Sequence, residues 1–350
     1  MANTALKRGN TGVLRADPSR DLNNAVTEPV FGSGYRRGEI RTVTFVDTLK
    51  NMPTNAWDVS EAQDGSVMAW VEKDGHLFIG AVGRIRTGVS CERMFAGYEN
   101  VVQFHFNGVL DTSMTQSVSW MFGLCKSLPR LDLCSFNTAN VQDMNGMLAI
   151  CFSLKEVDLH GFNTANVRDM ANLFSFCESL TRLDLSSFRT SKLERMGSMF
   201  GRCKLLSELN LSSFNTANVR DMSGLFEFCE SLTRLDLRNF NTANVQDMNH
   251  MFFCCKSLTE LDLSSFDTSN VTRMWGMFKC CDSLNTLDLR GFDTSRVVDM
   301  RDMFWLCKSL TRLKLPRGFV PANAETRGMF QVCPAGKSGG FSMLQKLFGK

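Results

Sequence analysis

In 350 residues, 39 Lys plus Arg face 36 Asp plus Glu, so the net charge is only +3. The charges are interspersed, which removes the electrostatic footprint of a nucleic-acid-binding protein. No stretch reaches the ~20 apolar residues of a membrane helix, and residues 1–30 hold no apolar core of signal-peptide length. As written, the chain therefore reads as cytoplasmic.

Residues 1–38 carry Arg, Asn, Gly and Pro without periodicity and are expected to be a flexible N-terminal arm. From Glu39 the pattern changes. Ile40–Phe45, Ser66–Val71 and His76–Ile79 alternate as strands, with Gly65 and Lys73-Asp74-Gly75 supplying turns. Residues 39–93 are thus a β-rich capping region, as the end of a repeat array requires.

The rest of the chain, residues 94–333, is a repeat array. Residues 94–120 form a degenerate copy with one extra residue, and eight full 26-residue copies follow at 121–328. A Met-Phe or Leu-Phe pair recurs at Met121, Leu173, Met199, Leu225, Met251, Met277, Met303 and Met329, and Met147-Leu148 keeps the phase. Cysteine follows the same beat from Cys125 to Cys333. Thirteen cysteines would suit a disulfide scaffold, but an odd total pairs poorly and most of them fill one repeat position. They read as buried free thiols. Residues 334–350 are a linker and a short, weakly amphipathic tail.

Within one unit, Asn140 reads as a helix N-cap with Asp143 three residues on. Val141, Met144, Met147, Leu148 and Cys151 then share one helical face. Glu156–Leu159 alternates as a short strand with Val157 and Leu159 inward. The expected fold is an α/β repeat solenoid, leucine-rich-repeat-like, with one short parallel strand and one short helix per 26 residues.

The unit Met-Phe-x-x-Cys-x-Ser-Leu-Thr-x-Leu-Asp-Leu-Ser-Ser-Phe-Asn-Thr-x-Asn-Val, nearly complete from Met251 onward, resembles the repeat of BspA-type leucine-rich-repeat proteins of bacteria. Ala56–Val59 and Asp64–Trp70 resemble the lead-in to such arrays. The resemblance covers roughly residues 39–333. It implies a non-catalytic binding or adhesion protein, exported to the cell surface or secreted, although no lipobox or wall-anchor motif accompanies it here.

Three outward lanes carry the candidate chemistry. Arg130, Glu156, Arg182, Glu208, Arg234, Glu260, Thr286 and Arg312 alternate in sign, and Glu178, Lys204, Glu230, Lys256, Asp282 and Lys308 alternate in the opposite phase. Both read as register control between neighbouring strands, and together they imply a double unit of 52 residues. The next lane stacks Asp132, Asp158, Asp184, Asn210, Asp236, Asp262 and Asp288. Two readings stand side by side: these carboxylates bond locally to the backbone, or they form a partner surface. In the second reading they act with the variable lane beside them, of which His160, Arg238 and Arg290 are the charged or titratable members.

One cysteine per rung makes a line, not the tetrahedron that zinc needs, so no metal site is expected. His76, His105, His160 and His250 fall in different phases, with no catalytic motif around them. Neither a catalytic residue nor a cofactor is expected. Phe253, Trp275 and Trp305 stand where other repeats carry small or charged residues, and partial burial between rungs explains them most simply. The expected function is a monomeric, non-catalytic scaffold binding a protein ligand through its exposed sheet. The alternatives are the surface adhesin that the resemblance implies and a purely structural element.

Overall fold

The computed structural model describes residues 12–17 and 21–337. The chain divides into two units, one ending at Asn166 and one beginning at Val167. The tail from Phe341 to Lys350 lies outside the described residues.

The first unit opens with β1 (Val13–Leu14), β2 (Thr42–Val46), β3 (Trp57–Asp58), β4 (Val67–Val71), β5 (His76–Ala81), β6 (Ile85–Thr87), β7 (Gln103–His105) and β8 (Leu110–Asp111). A five-stranded sheet runs in the order β3-β4-β5-β2-β7, with β2 parallel to β5 and β7 and β4 antiparallel to β5. Alternation in β2 buries Val43 and Phe45 and leaves Thr42 and Thr44 half-exposed, the period-two pattern of a sheet with one apolar face. Since β7 lies within the degenerate repeat, the expected boundary at residue 93 does not separate sheet from array.

The described part of the expected arm is also built into this unit. β1 pairs in parallel with β6. Arg37 is 1% exposed and donates to the carbonyls of Arg93 (3.0 Å), Met94 (3.3 Å) and Ala96 (2.8 Å). It also pairs with Asp17 at 3.1 Å. A guanidinium out of water needs such a set of acceptors, and supplying them ties Arg37 and Asp17 to the first turns of the array.

The repeat corrects one sequence expectation. Among the described residues there is no α-helix, only short 3-10 turns at Ala25–Thr27, Arg37–Glu39 and Pro334–Lys337. Where a helix was expected, alternate amides take different partners. Val118, Trp120, Phe122 and Leu124 donate to the carbonyls of Asp143, Asn145, Met147 and Ala149 in the following rung. Met121, Gly123 and Cys125 donate back to Val118, Trp120 and Phe122. An α-helix would send every amide to the fourth residue before it; this segment is a chain of tight turns laced to its neighbour.

The reason is visible in the dihedrals. Each rung holds two left-handed residues four apart, such as Asn172 (φ 58°) with Phe176 (φ 62°), and His250 (φ 56°) with Cys254 (φ 57°). Left-handed backbone twice within five residues cannot continue a right-handed helix. The first of these positions is Gly146, Asn172, Gly224, His250, Gly276, Asp302 or Gly328 in seven rungs, mostly residue types that tolerate positive φ, and Trp120 or Ser198 in two others. Asn140, read as an N-cap, instead donates through its side-chain amide to the carbonyl of Ser113 (2.7 Å) in the preceding rung.

The core follows the rung spacing. In the second unit the rings of Phe174, Phe200, Phe226, Phe252, Phe278 and Phe304 stack in a column, neighbours 5.6–6.0 Å apart. All thirteen cysteines are free thiols and eleven are buried. Cys125, Cys151, Cys203, Cys229, Cys255, Cys281 and Cys307 of the regular column each donate to a carbonyl of the previous rung, as Cys229 does to Phe200 at 3.1 Å. Burial raises these thiols, to about 12 for Cys151 and Cys203, so they stay protonated and serve as donors. A buried threonine column adds paired bonds: Thr216 donates to the carbonyl of Asn241 (2.9 Å) and accepts from its amide (2.8 Å), as Thr112, Thr138 and Thr190 accept from the equivalent amides (2.7–2.8 Å). No helix among the described residues is long and apolar enough to cross a membrane.

On the strand side, β9 (Arg130–Asp132) pairs in parallel with β10 (Glu156–Asp158) in the first unit. In the second, β11 (Arg182–Asp184) pairs with β12 (Glu208–Asn210), and β13 (Thr286–Asp288) with β14 (Arg312–Lys314). The same segments at 234–236 and 260–262 form no strand.

Candidate interaction surface

The strand segments expose alternate residues. Leu131, Leu183, Leu261 and Leu287 point into the core, while Val157 and Leu235 are half-buried. The flanking Arg130 and Asp132, and their equivalents in the other rungs, face solvent.

Every member of the Asp lane bonds to its own chain. One carboxylate oxygen accepts the amide two residues on: Asp132 from Cys134 (3.0 Å), Asp158 from His160 (3.0 Å), Asp184 from Ser186 (2.9 Å), Asp236 from Arg238 (3.2 Å), Asp262 from Ser264 (3.0 Å) and Asp288 from Arg290 (3.2 Å). Asn210 makes the same turn with Ser212 (3.1 Å), so the turn needs an oxygen acceptor and not a charge. This bond offsets part of the repulsion within the column.

The variable lane offsets more. Arg238 forks onto Asp236 (Nε 2.9 Å, Nη2 2.7 Å), and Arg290 onto Asp288 (Nε 3.0 Å, Nη2 2.8 Å). Lys314 reaches Asp288 at 3.3 Å, and the His160 ring lies 2.8 Å from Asp158. Bonds from the Arg238 side chain and amide hold the Asp236 carboxyl down at about 2. Asp288 is depressed chiefly by the Arg290 side chain, and Asp132, Asp158 and Asp262 are lowered by donors two residues on. Backbone pairing sets Asp158 beside Asp132; it pairs Asp184 with Asn210 and Asp288 with Lys314.

The second alternating lane pairs throughout, and the first pairs at one step; among the described residues no ion pair joins Arg182 to Glu208 or Arg234 to Glu260. Arg130 meets Glu156, and Lys204–Glu178 (2.8 Å), Lys256–Glu230 (3.0 Å) and Lys308–Asp282 (2.9 Å) recur every second rung. Exposed pairs of this kind contribute only ~0–1 kcal/mol each, so their weight is in register. A further column escaped sequence reading: Asp169–Arg195 (2.7 Å) and Asp247–Arg273 (3.0 Å) pair across neighbouring rungs at the entry to the turns. Its signal was the recurrence of Asp143, Asp169, Asp221, Asp247 and Asp299 on one phase.

The turn side carries aromatic side chains under cations. His250 lies against Trp275 (4.3 Å) and Phe253 (5.0 Å), Lys279 sits over Trp305 (4.2 Å), and Arg301 over Trp275 (5.2 Å). Phe253, Trp275 and Trp305 are half-buried. Among the described residues no group of three or more His, Cys, Asp or Glu is placed to hold a metal ion.

A 26-residue rung with inward leucines, outward acids and a phenylalanine column defines a repeat solenoid of the leucine-rich-repeat class, with the BspA-type bacterial repeat seen in its sequence. The family described as Mycoplasma protein of unknown function, DUF285, matches over residues 89–208, 169–261 and 232–336, and the chain belongs to it. No curated protein matches the chain. Among solved structures, a leucine-rich repeat protein from Eubacterium ventriosum is similar at 13% identity and a TM-score of 0.31, over 80% of this chain and 89% of that one. A leucine-rich-repeat protein of Leptospira interrogans is similar at 15% identity and a TM-score of 0.21, over 77% of this chain and 83% of that one. A TLR13–ssRNA13 complex is similar at 17% identity and a TM-score of 0.20, over 67% of this chain and 40% of that one.

Proposed function

We propose that this protein is a non-catalytic scaffold that binds a protein partner across its exposed strand lanes. The observation that carries the reading is the orientation of the Asp and variable lanes. Asp132, Asp158, His160, Asp184, Asp236, Arg238, Asp262, Asp288 and Arg290 are all solvent-exposed, and each Asp is fixed by the amide two residues on. Binding by such a lane costs little ordering, because the Asx turns and the Arg forks hold the side chains before contact. Asp132, Asp158 and Asp262 bond to their own chain through one oxygen, while the Arg238 and Arg290 forks engage both oxygens of Asp236 and Asp288. The partner is recognised by the second oxygens of the former and by the residues of the variable lane. Rung-to-rung differences there, from His160 through Ser186 and Arg238 to Arg290, give the pattern that a partner reads.

The test is a pull-down comparing wild type with Asp158, Asp184, Asp236 and Asp262 all changed to Asn. Since Asn210 already makes the turn, the variant keeps its fold and loses only charge. A partner held by wild type and released by the folded variant supports the surface. Equal capture by both assigns the Asp lane to structure alone.

A further inference from the structure

We infer that Cys254 and Cys280 are a redox pair, able to close a disulfide between two neighbouring rungs of the second unit. Both occupy the second left-handed position of their rungs (φ 57° and 59°). That position is Leu124, Ile150, Phe176, Arg202, Phe228, Leu306 or Val332 elsewhere, so these two rungs alone place thiols side by side in this column. The backbone sets them in register: the Cys254 amide donates to the carbonyl of Lys279 at 2.8 Å, and the Cys280 amide to that of Trp305 at 2.8 Å. Rungs lie about 4.8 Å apart, within the separation of about 4.4–6.8 Å that a disulfide spans between Cα atoms.

The side chains agree with the backbone. The two side chains are neighbours, each thiol acting on the ionisation of the other. The adjacent column is committed elsewhere: Cys255 donates to the carbonyl of Phe226 (3.2 Å) and Cys281 to that of Phe252 (3.1 Å), both fully buried. Cys254 is 6% exposed and Cys280 half-exposed, which gives an oxidant entry at Cys280. A helix would have turned successive side chains apart; the turn column stacks them.

The oxidant required is a disulfide such as oxidised glutathione. The Cys280 thiolate attacks one sulfur of that disulfide and expels a glutathione thiolate. The deprotonated Cys254 sulfur then attacks Sγ of Cys280 and expels the second. Two protein thiols and one oxidised glutathione become one protein disulfide and two reduced glutathione molecules. Burial pushes Cys254 up to about 12 and raises Cys280 as well, so the reaction accelerates as pH rises and more of each thiol ionises. The closed loop contains Glu260–Asp262, one of the two segments in the strand lane that form no strand. Oxidation therefore clamps a loosely held part of the exposed face.

The experiment is to incubate the full chain with oxidised glutathione, alkylate the remaining thiols after denaturation, and map the peptides by mass. The expected product joins the peptide of residues 254–255 to that of 280–281, with two hydrogens lost. Cys254→Ser and Cys280→Ser each abolish the link, whereas Cys255→Ser keeps it. Oxidised wild type melts at a higher temperature, reversed by dithiothreitol, and Cys280→Ser shows no such shift. The exposed Cys134 thiol reports that the reagent is active by taking a glutathione adduct. A stable glutathione adduct at Cys280, a link that survives Cys254→Ser, or no reaction while Cys134 is modified overturns the inference.

Discussion

The turn side and the strand side of each rung solve the same stacking problem with different density. On the turn side, Met222, Gly224, Phe226 and Phe228 donate in succession to Asp247, Asn249, Met251 and Phe253, and every rung that follows in the second unit repeats the pattern. On the strand side, backbone pairs form two rungs at a time, and 234–236 and 260–262 form none. The turns carry the fold, and the strand lane is left with side chains free to differ from rung to rung. A repeat protein that recognises a partner needs this division, since specificity has to change without loss of the stack.

The largest expected effect lies at the apolar base of the turns. Phe226→Ala removes a fully buried ring from the stacked column and should cost about 3–5 kcal/mol by denaturant unfolding. Leu235→Ala, on the half-buried strand side, should stay below about 2 kcal/mol. Equal losses would erase the contrast between the two sides. Next, Thr216→Val strands the amide and carbonyl of Asn241 inside the stack and should cost about 1–3 kcal/mol.

Gly224→Ala sharpens the backbone half of the comparison. Its φ is +59°, and an added methyl would lie 2.8 Å from Ser198 Oγ, so about 1–3 kcal/mol of strain is expected. The same readout, the denaturation midpoint, applies. The smallest effect belongs to the exposed lane. The depressed Asp236 carboxyl contributes stability that is present above the ordinary value of about 3.9 and is lost as pH falls through about 2. The melting temperature of wild type should fall slightly across that window, and less in Asp236→Asn. At pH 7, where wild type holds that contribution in full, the variant should melt slightly below wild type.

Much of this was legible in the chain. The 26-residue beat, the inward leucines, the free-thiol column and the alternating charge lanes all read directly, because each is a periodic pattern that stacking makes visible. The helix was misread for a physical reason: apolar residues at Val141, Met144, Met147 and Cys151 satisfy a helical face and also a run of three-residue turns. What separates the two is the recurrence of Gly146, Asn172, Gly224, His250 and Gly276, broken by Ser198, a run of left-handed formers that a helix interior would not keep. The Asp lane showed its position but not its bonds, since an Asx turn and a binding carboxylate look alike in sequence. The anchoring of Arg37 and of β1 was hidden because the carbonyls that Arg37 bonds lie more than fifty residues away and β1 pairs with a strand about seventy residues on.

Amide hydrogen exchange across the second unit tests the central claim most directly. Amides of Met222, Gly224, Phe226 and Phe228 should be protected to the level of global unfolding, while those at 234–236 and 260–262 exchange faster through local opening. Uniform protection of both sides, or protection that follows a helical pattern from 219 to 229, would contradict it.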